Sequence, residues 1–540
     1  MKYSILDCTL RDGGYYTNWD FEPSLVQKYL ETVADLPIDY IEIGYRNPVK
    51  GGYGGQYFYL PEFTVNTFNT YKVAHGYKLA LMLDAKNCSP QDVPNLLGDC
   101  RGIVDLVRMA VDPAKLEPSI ALAQAVKELG FNVALNLMYL SRLGDNHEFL
   151  LNLQHLDEVA DYIYLVDSYG ACFPHQVAQA IKFAKDNLPQ KIGFHGHDNI
   201  NLAFANSLAA VEAGADIVDS TILGMGRGAG NLRTELIIPY IVKSLGKPLD
   251  LSSLADLLEP FQNLKDRYGW GSRLPYILSG LADLPQKDVM EWLGKKRHST
   301  STIVQTLQGK QHKIINCQSY PQLRDRDRQL GLQNIESCVI VGGGNTAIQH
   351  NYAIAEYASH KQSLLIHSSL RNAELYAIAD SPQLLCLPGR EAEKLKKVYS
   401  AKLEQQFKGY IVSSSPRMSD VGMEEIAAKT LEVDPFMRMN DRVKTALIEQ
   451  DSPLGLALGV ALTLGIKNVF LAGFDGYPTG DETQQELAKE VQHLLDLFSQ
   501  SYSQTHIQSL TPTHYSVTQS SVYALLRTIS GEKIHGEVFV

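Results

Sequence analysis

The first 245 residues alternate between short apolar segments and amphipathic segments, and this alternation constrains the fold most. Eight of the apolar segments have the length of strands and are rich in Ile, Val, Leu and Tyr on both faces, as parallel strands covered by helices are. They are Ser4–Thr9, Tyr40–Gly44, Lys78–Leu83, Ile103–Ala110, Val133–Leu137, Tyr162–Val166, Lys191–Phe194 and Asp216–Thr221. Helical patterns such as Pro23–Ala34 and Gln176–Asn187 lie between them. Eight strand–helix units in this length predict an α/β fold of the (β/α)8, or TIM-barrel, type.

An open doubly wound sheet is the competing interpretation of the same alternation. That fold would place a glycine-rich phosphate loop after the first strand, and Gly13-Gly14-Tyr15 does not have that pattern. The barrel is therefore favoured, and we expect the two glycines to form a sharp turn after the first strand.

The whole chain is too long for one hydrophobic core at 540 residues. We predict a barrel over residues 1–245, a helical extension and linker over 246–330, and a second α/β domain over 331–540. A net charge of -11 argues against a nucleic-acid or anionic-membrane partner. The seven cysteines have no CxxC spacing, no apolar run reaches the length of a membrane span, and no signal peptide precedes the first strand. These features predict a cytoplasmic protein.

Polar side chains follow two of the predicted strands. Arg11 and Asp12 come after the first strand, and His195 and His197 come at the end of the seventh. The carboxyl ends of barrel strands meet at one rim, so these side chains are expected to lie together. One carboxylate and two imidazoles with open positions are typical of a catalytic metal site. The alternative is that both histidines are core residues and that Asp12 caps a helix.

Three motifs carry a resemblance to a known superfamily. They are the segment Leu6–Gly13, the His195-Gly196-His197 triplet and the glycine-rich loop Gly224–Asn231. Together they resemble the signatures of the metal-dependent pyruvate aldolase and lyase superfamily, which includes HMG-CoA lyase, isopropylmalate synthase and 4-hydroxy-2-oxovalerate aldolase. The motifs occur in the order of that superfamily and cover residues 1–245.

The resemblance implies a set of site residues. Asp12, His195 and His197 would bind one divalent ion, Mn²⁺ or Mg²⁺, with Asn231 as a further ligand; ligand softness would also admit Zn²⁺ or Co²⁺. Arg11 would stabilise the charge of an enolate, and Ser168 would help to hold the carboxylate of pyruvate. For Arg11, the alternative is a structural ion pair with Glu42 or Asp84.

The general base departs from the pattern of the superfamily. The aldolases carry a histidine shortly after Arg-Asp-Gly, whereas this chain reads Gly14-Tyr15-Tyr16-Thr17 there. Tyr15 and Tyr16 are therefore the candidate bases, with a water held by the metal or simple packing of the rim as alternatives. The aromatic loop Gly51–Tyr59 is expected to cover the substrate, although a packed loop is an equal alternative.

The second half predicts helices over Leu251–Leu284, a polar linker over Lys295–Arg328 and then another α/β unit. Its first strand leads into Gly342-x-Gly344-x-x-Ala347, which fits the dinucleotide fingerprint. The acidic residue expected about 20 positions later is missing, so NAD is not expected. Further strands are predicted at Ser363–His367, Leu384–Leu387, Tyr410–Ser413 and Asn468–Ala472.

The segments Gly455–Gly465 and Asn468–Tyr477 resemble the Rossmann-like domain of bacterial lipooligosaccharide sialyltransferases and pterin pyrophosphokinase-like proteins. This resemblance implies a nucleotide near Gly342, Gly344, Asn345 and Asp475. The alternative is a structural or oligomerising domain.

The sequence thus predicts a metal-dependent aldolase that cleaves or forms a 4-hydroxy-2-oxo acid, with pyruvate and an aldehyde as partners. The fused domain suggests a role in making a surface-polysaccharide sugar, and we expect a homo-oligomer. Two alternatives stay open: a Claisen condensation with an acyl-CoA, as in isopropylmalate synthases, and a nucleotide-sugar transferase or binding module based on the second domain.

Overall fold

A computed structural model gives the structure of the chain. It describes residues 3–49, 53–143, 146–246, 250–295, 297–301, 303–304, 307, 318–415, 417, 423–439, 451–477, 482–502 and 504–529. The chain divides into two compact units, 1–290 and 291–540, so the predicted extension 246–330 is shared between them.

The first unit contains a closed barrel of eight parallel strands. The strands are β1 (Ser4–Asp7), β2 (Tyr40–Tyr45), β3 (Lys78–Leu83), β4 (Leu106–Val111), β5 (Asn132–Leu137), β6 (Tyr162–Asp167), β7 (Lys191–Gly196) and β8 (Ile217–Ser220). The barrel closes where β1 pairs with β8, with Leu6 opposite Asp219. The predicted barrel is confirmed, and the strand bounds differ from the predicted ones by a few residues at most.

Helices follow the strands around the barrel. The α-helices of this unit are Thr9–Thr17, Pro23–Ala34, Gln56–Tyr59, Glu62–His75, Val93–Leu97, Leu116–Glu128, Leu140–Leu143, His147–Leu151, Pro174–Asn187, Ala203–Glu212, Thr234–Leu245, Ser252–Tyr268, Leu274–Leu281 and Gln286–Gly294. Short 3-10 helices lie at Pro90–Asp92, Gly98–Cys100, Pro113–Lys115, Gln154–Leu156 and Ile222–Gly224.

The strand residues alternate between two buried layers. Ile5, Ile41 and Leu79 belong to the large core between the strands and the helices, whereas Leu6 and Tyr40 belong to a smaller cluster. Because successive strand residues point to opposite faces, the smaller cluster fills the inside of the barrel. Apolar residues on both faces are what the sequence pattern indicated.

The expected turn at Gly13-Gly14 is wrong. A helix, Thr9–Thr17, begins almost directly after β1 and contains both glycines. Their role is close packing: a Cβ on Gly13 would lie 2.6 Å from the Met225 sulfur, and one on Gly14 would lie 2.0 Å from the Trp19 ring. The helix therefore packs tightly against the glycine-rich loop, which brings Arg11 and Asp12 to the rim of the barrel.

The predicted helical extension supports the same loop. The indole N–H of the buried Trp270 donates to the carbonyl of Leu223 at 2.9 Å. The side-chain oxygen of Gln286 accepts from the backbone N–H of Ala229 at 3.1 Å. The two contacts hold this loop at Leu223, just before it, and at Ala229, within it.

The second unit contains a seven-stranded parallel sheet of order β13-β12-β11-β10-β9-β14-β15. The strands are β9 (Ser337–Val341), β10 (Leu364–His367), β11 (Gln383–Cys386), β12 (Gly409–Ser413), β13 (Thr430–Val433), β14 (Asn468–Ala472) and β15 (His506–Ser509). Its helices are Leu323–Asp325, Asp327–Leu330, Asn345–Gln349, Asn351–Lys361, Ala373–Tyr376, Glu391–Val398, Ala401–Gln406, Glu424–Ala427, Phe436–Met439, Pro453–Thr463, Glu482–Ser501 and Val522–Ile529, the first and fifth of them 3-10 helices. The α/β prediction is confirmed as a separate parallel sheet.

The sequence analysis missed β13 and β15, the outermost strands of that sheet. Both are only four residues long and contain polar residues, such as Glu432 and Gln508. Edge strands need less apolar sequence than central ones, which explains the omission. Glu432 is buried, and Arg417 binds it at 2.9 Å.

Two predictions concern the environment of the protein. Within the described ranges, no helix combines the length and the apolar character that crossing a membrane requires. Six cysteines in these ranges carry free thiols, and Cys317 lies outside the described residues, as do Gly51 and Gly52 of the predicted cover loop.

Candidate active site

Three side chains predicted as metal ligands meet at the carboxyl end of the barrel. Asp12 comes from the helix after β1, His195 from β7, and His197 from the residue after that strand. Their ligand atoms lie within 4.8 Å of one another. The Nε2 atom of His195 is 3.8 Å from the Asp12 carboxylate. Side chains that are 183 positions apart in sequence are thus close enough to bind one ion.

Each imidazole is oriented by an acceptor on its other nitrogen. His195 donates from Nδ1 to the Asp219 carboxylate at 2.8 Å, and His197 donates from Nδ1 to the Asp167 carbonyl at 2.8 Å. Because these acceptors carry no proton, each neutral ring holds its proton on Nδ1 and leaves Nε2 as a lone-pair donor. Such partners fix the tautomer that a metal ligand needs.

The protonation states also suit a cation. Burial alone would raise the pKa of Asp12, but the charge of Arg11, the two neighbouring histidines and the hydrogen bond from Asn231 together lower it to about 2. Burial, with the neighbouring His195, lowers the pKa of His197 to about 4. At neutral pH the site therefore presents a carboxylate and a neutral imidazole, the ligating forms of both side chains.

Asn231 completes the cluster. Its Nδ2 donates to the Asp12 carboxylate at 2.6 Å, and a backbone bridge pairs it with His197. Its Oδ1 is buried and has no hydrogen-bond partner among the residues that the structure describes. A buried amide oxygen without a partner, beside a carboxylate and two imidazoles, is what a divalent cation would satisfy. These residues fit the implied divalent ion.

A second group of possible ligands, Cys8, His195 and Asp219, is less suited to a cation. Arg108 already binds the Asp219 carboxylate. Burial raises the pKa of the Cys8 thiol well above its usual value, so the thiol stays protonated. The Nδ1 atom of His195 is therefore used for its hydrogen bond to Asp219, and the Nε2 atom is the one available to a metal.

Buried ion pairs connect the Arg11 and Asp12 part of this site to His195. Arg11 binds Asp12 at 2.6 Å and Glu42 at 2.8 Å, and Arg108 binds Glu42 at 3.1 Å. Glu42 is thus shared by two arginines, so the expected alternative pair of Arg11 and Glu42 exists alongside its contact with Asp12.

The network continues from Arg108 to Asp219, and so reaches His195. Arg108 is fully buried and lies 4.3 Å from the centre of the Tyr164 ring. Each charged side chain of this network has an opposite charge beside it, which offsets the high cost of burying the charge. The network therefore positions both Arg11, which lies beside the ligand cluster, and His195, which belongs to it.

Comparison with known proteins identifies the barrel. The HMGL-like family model matches residues 107–259. A 4-hydroxy-2-oxovalerate aldolase from Chloroflexus aggregans is 30% identical over 276 residues, 49% of this chain and 78% of that protein. One from Pelotomaculum thermopropionicum is 32% identical over 272 residues, 47% of this chain and 76% of that protein. The chain belongs to the HMGL-like family.

A solved structure agrees with this assignment of the HMGL-like barrel. The N-terminal domain of a protein described as a candidate aldolase, from Bacteroides vulgatus, is 42% identical, with a TM-score of 0.53. The match covers 56% of this chain and 99% of that domain. The lyase and aldolase class thus follows from the first half of the chain.

The HMGL-like barrel has a cavity of about 210 Å³ beside the ligand cluster. Polar and apolar side chains from several strand ends share its wall. The lining residues include Arg11, Asp12, Tyr15, Tyr45, Met82, Asn136, Tyr139, Ser168, His195, His197, Arg227, Gln286 and Lys287. The cavity is the place where a small substrate would meet the ligand cluster.

The two candidate tyrosines lie in different surroundings. Tyr15 lines the cavity, and its hydroxyl is 2.8 Å from that of Tyr45. Tyr16 instead packs against Tyr268 and Trp270, and its hydroxyl accepts from the backbone N–H of Gly228 at 3.0 Å. Burial raises the pKa of Tyr16. Only Tyr15, therefore, is brought to the cavity of this HMGL-like barrel.

Ser168, predicted to hold a carboxylate, also lines the cavity. Its Oγ accepts from the backbone N–H of Tyr139 at 2.9 Å. The hydroxyl proton is left to donate to a ligand, as the predicted role requires.

The predicted cover loop is partly packed. Tyr57 and Phe58 are buried in the short helix Gln56–Tyr59, and Phe58 lies 4.9 Å from the ring of Trp19. Tyr53 is 75% exposed, and its hydroxyl donates to Asp20. Covering of the substrate by this loop stays a prediction.

The residues predicted for a nucleotide meet in the second unit. Gly342, Gly344 and Asn345 follow β9, and Asp475 follows the neighbouring strand β14. The Asp475 carboxylate accepts from the backbone N–H of Thr346 at 3.1 Å. This carboxylate uses an N–H group that a phosphate would otherwise bind.

Proposed function

We propose that the protein is a Mn²⁺- or Mg²⁺-dependent aldolase that cleaves or forms a 4-hydroxy-2-oxo acid, with pyruvate as one partner. The observation that carries the proposal is the convergence of Asp12, His195 and His197 within 4.8 Å, beside Arg11 and a small cavity. The names of the relatives support the substrate class, since they are called 4-hydroxy-2-oxovalerate aldolases.

The roles of the residues follow from the needs of a 2-oxo acid. A divalent ion bound by Asp12, His195 and His197 would supply Lewis acidity for the 2-oxo group. Arg11 is held by Asp12 and Glu42 and remains beside the ligands, where its charge stabilises negative charge on the substrate oxygen. The hydroxyl of Ser168 donates a hydrogen bond to the substrate carboxylate.

Tyr15 is the proposed base. In the cleavage direction its deprotonated oxygen takes the proton of the C4 hydroxyl and becomes the phenol, and in synthesis the phenol returns that proton. Burial raises the pKa of Tyr45 well above its usual value, so Tyr45 keeps its proton and is able to donate a hydrogen bond to the deprotonated Tyr15 oxygen. The guanidinium of Arg227 lies 3.8 Å from the centre of the Tyr15 ring and stabilises negative charge there.

We expect Tyr15→Phe to lower kcat for pyruvate release about 100-fold or more, because a positioned base contributes on that order. The matched control is Tyr16→Phe, which loses a hydrogen bond outside the cavity and is expected to keep most of the activity. Steady-state kinetics of both variants, with the bound metal measured in each, checks this. An equal loss in the two variants would remove Tyr15 from its role.

The proposed reaction is tested by adding 4-hydroxy-2-oxo acids of increasing length to the full chain with Mn²⁺. Pyruvate release is expected, with loss after EDTA and recovery when Mn²⁺ is restored. Thiol release from an acyl-CoA, without pyruvate release from any hydroxy-oxo acid, would favour a Claisen condensation instead. CMP binding without metal-dependent pyruvate release would favour a nucleotide-sugar transferase.

We infer that the second unit has a Rossmann-like ligand site. This unit would be the fused partner of the barrel in surface-polysaccharide sugar synthesis. The strand order of the sheet reverses at β9, which has β10 on one side and β14 on the other. Such reversal points are where open parallel sheets bind ligands, beyond the carboxyl ends of the strands. Gly342–Asn345 and Asp475 lie at that point.

A further inference from the structure

Arg227, which contacts the ring of Tyr15, also faces the cavity of the barrel. It lies in the loop Gly224–Asn231, lines the active-site cavity and is half-buried. Its guanidinium stacks on Tyr15 at 3.8 Å. Within the part of the chain that the structure describes, no carboxylate forms an ion pair with it. A partly desolvated guanidinium without an anion is costly unless a ligand supplies one.

The charges around the cavity are unevenly distributed. Of the lining residues, Asp12 is the one carboxylate, and Arg11 already binds it. Arg11 also binds Glu42, so both of its ion-pair partners are carboxylates of the protein. Arg227 and the exposed Lys287 remain as positive charges facing the cavity. The cavity can therefore accept an anionic group beyond those at the ligand cluster.

The contact of Arg227 with Tyr15 indicates which end of a substrate Arg227 would meet. The 2-oxo acid end of a substrate would meet Asp12, Arg11 and Ser168. Arg227 instead stacks on Tyr15, the proposed base for the C4 hydroxyl. A group bound by Arg227 is thus a substituent on C4, which comes from the aldehyde.

We propose that the aldehyde partner carries an anionic group, a carboxylate or a phosphate, and that Arg227 binds it with the help of Lys287. This inference rests on the proposed aldolase function. The reaction stays balanced: pyruvate C3 loses a proton and bonds to the aldehyde carbon, and the aldehyde oxygen takes up a proton to become the C4 hydroxyl. No oxidant or reductant is needed.

A binding experiment tests the site without turnover. 2-Oxoglutarate and 2-oxopentanoate share the 2-oxo acid end and the five-carbon chain, and differ in the distal carboxylate. By calorimetry on the Mn²⁺-loaded full chain, we expect 2-oxoglutarate to bind about 10- to 100-fold more tightly, the range expected for a charged hydrogen bond. In Arg227→Met the two affinities should become equal, and Arg227→Lys should keep part of the difference.

A turnover experiment distinguishes the two anions. Addition of pyruvate to succinic semialdehyde is compared with addition to pentanal, and addition to glyceraldehyde 3-phosphate with addition to glyceraldehyde. The acidic member of at least one pair should have the higher kcat/KM, and the pair that shows the preference identifies carboxylate or phosphate. The preference should disappear in Arg227→Met and persist in Arg101→Met, which removes an exposed cation that does not line the cavity.

Two results would overturn the inference. Equal affinity of the wild-type protein for both 2-oxo acids would show that no distal anion is bound. An equal loss of both affinities in Arg227→Met would assign Arg227 to the carboxylate of the 2-oxo acid. If no substrate releases pyruvate but the difference in affinity depends on Arg227, the proposed aldolase function fails and the anion site stands. If only neutral substrates are cleaved rapidly, the aldolase function stands and the anion site fails.

Discussion

His195→Ala is expected to lower metal-dependent pyruvate release by about 1,000-fold, since Lewis-acid stabilisation contributes several kcal/mol. The variant removes the Nε2 atom that faces Asp12 and would bind the metal. It also leaves the Asp219 carboxylate paired with Arg108, so the buried charge of Asp219 keeps a partner and the fold should persist. Loss of bound Mn²⁺ should accompany the loss of activity.

Coupled pyruvate assays, metal analysis and thermal unfolding of the same samples check this expectation. His175→Ala is the matched control, because His175 is an exposed histidine outside the cavity. A His195→Ala protein that keeps wild-type activity would contradict the assignment of the metal ligands. A protein that loses activity only because it unfolds would be recognised by its unfolding curve.

Arg11→Met is expected to lower kcat about 100- to 1,000-fold, the usual loss when a donor that stabilises an oxyanion is removed. Metal affinity should change little, since Asp12 keeps its contact with Asn231 and the two imidazoles keep their own partners. Glu42 remains paired with Arg108, so no buried carboxylate loses all its partners.

Arg11→Lys is the informative companion. Arg11 uses two different nitrogens for Glu42 and Asp12, and an ammonium group cannot reproduce that geometry. We therefore expect the lysine variant to remain well below wild type in kcat, with metal affinity retained. If both variants lose metal instead of kcat, Arg11 acts by holding Asp12 and not by stabilising the substrate.

The fold of the first half could be predicted because it depends on a local pattern. Eight buried parallel strands need apolar residues on both faces, and each predicted strand segment overlaps an observed one. The candidate ligands followed because the strand ends of a barrel share one rim. The glycines at 13 and 14 were misinterpreted, since their need for space comes from Trp19 and from Met225, and the contact with Met225 joins residues that are far apart in sequence.

The supporting charges were harder to predict because they depend on long-range contacts. Arg108 and Asp219 are 111 positions apart, and nothing local to either residue indicates the other. A charged residue within an otherwise apolar barrel strand is a signal that could have drawn attention to Asp219. Tyr15 and Tyr16 are neighbours, yet a helix directs consecutive side chains about 100° apart, so only the packed structure tells which one faces the cavity.

The central claim is that Asp12, His195 and His197 hold a catalytic divalent ion. Anomalous diffraction from crystals of the full chain soaked in Mn²⁺, recorded at the manganese absorption edge, tests it most directly. A single strong peak within bonding distance of the Asp12 carboxylate and the Nε2 atoms of both histidines is the expected result. Manganese bound elsewhere in the chain, with no peak among these three side chains, would contradict it.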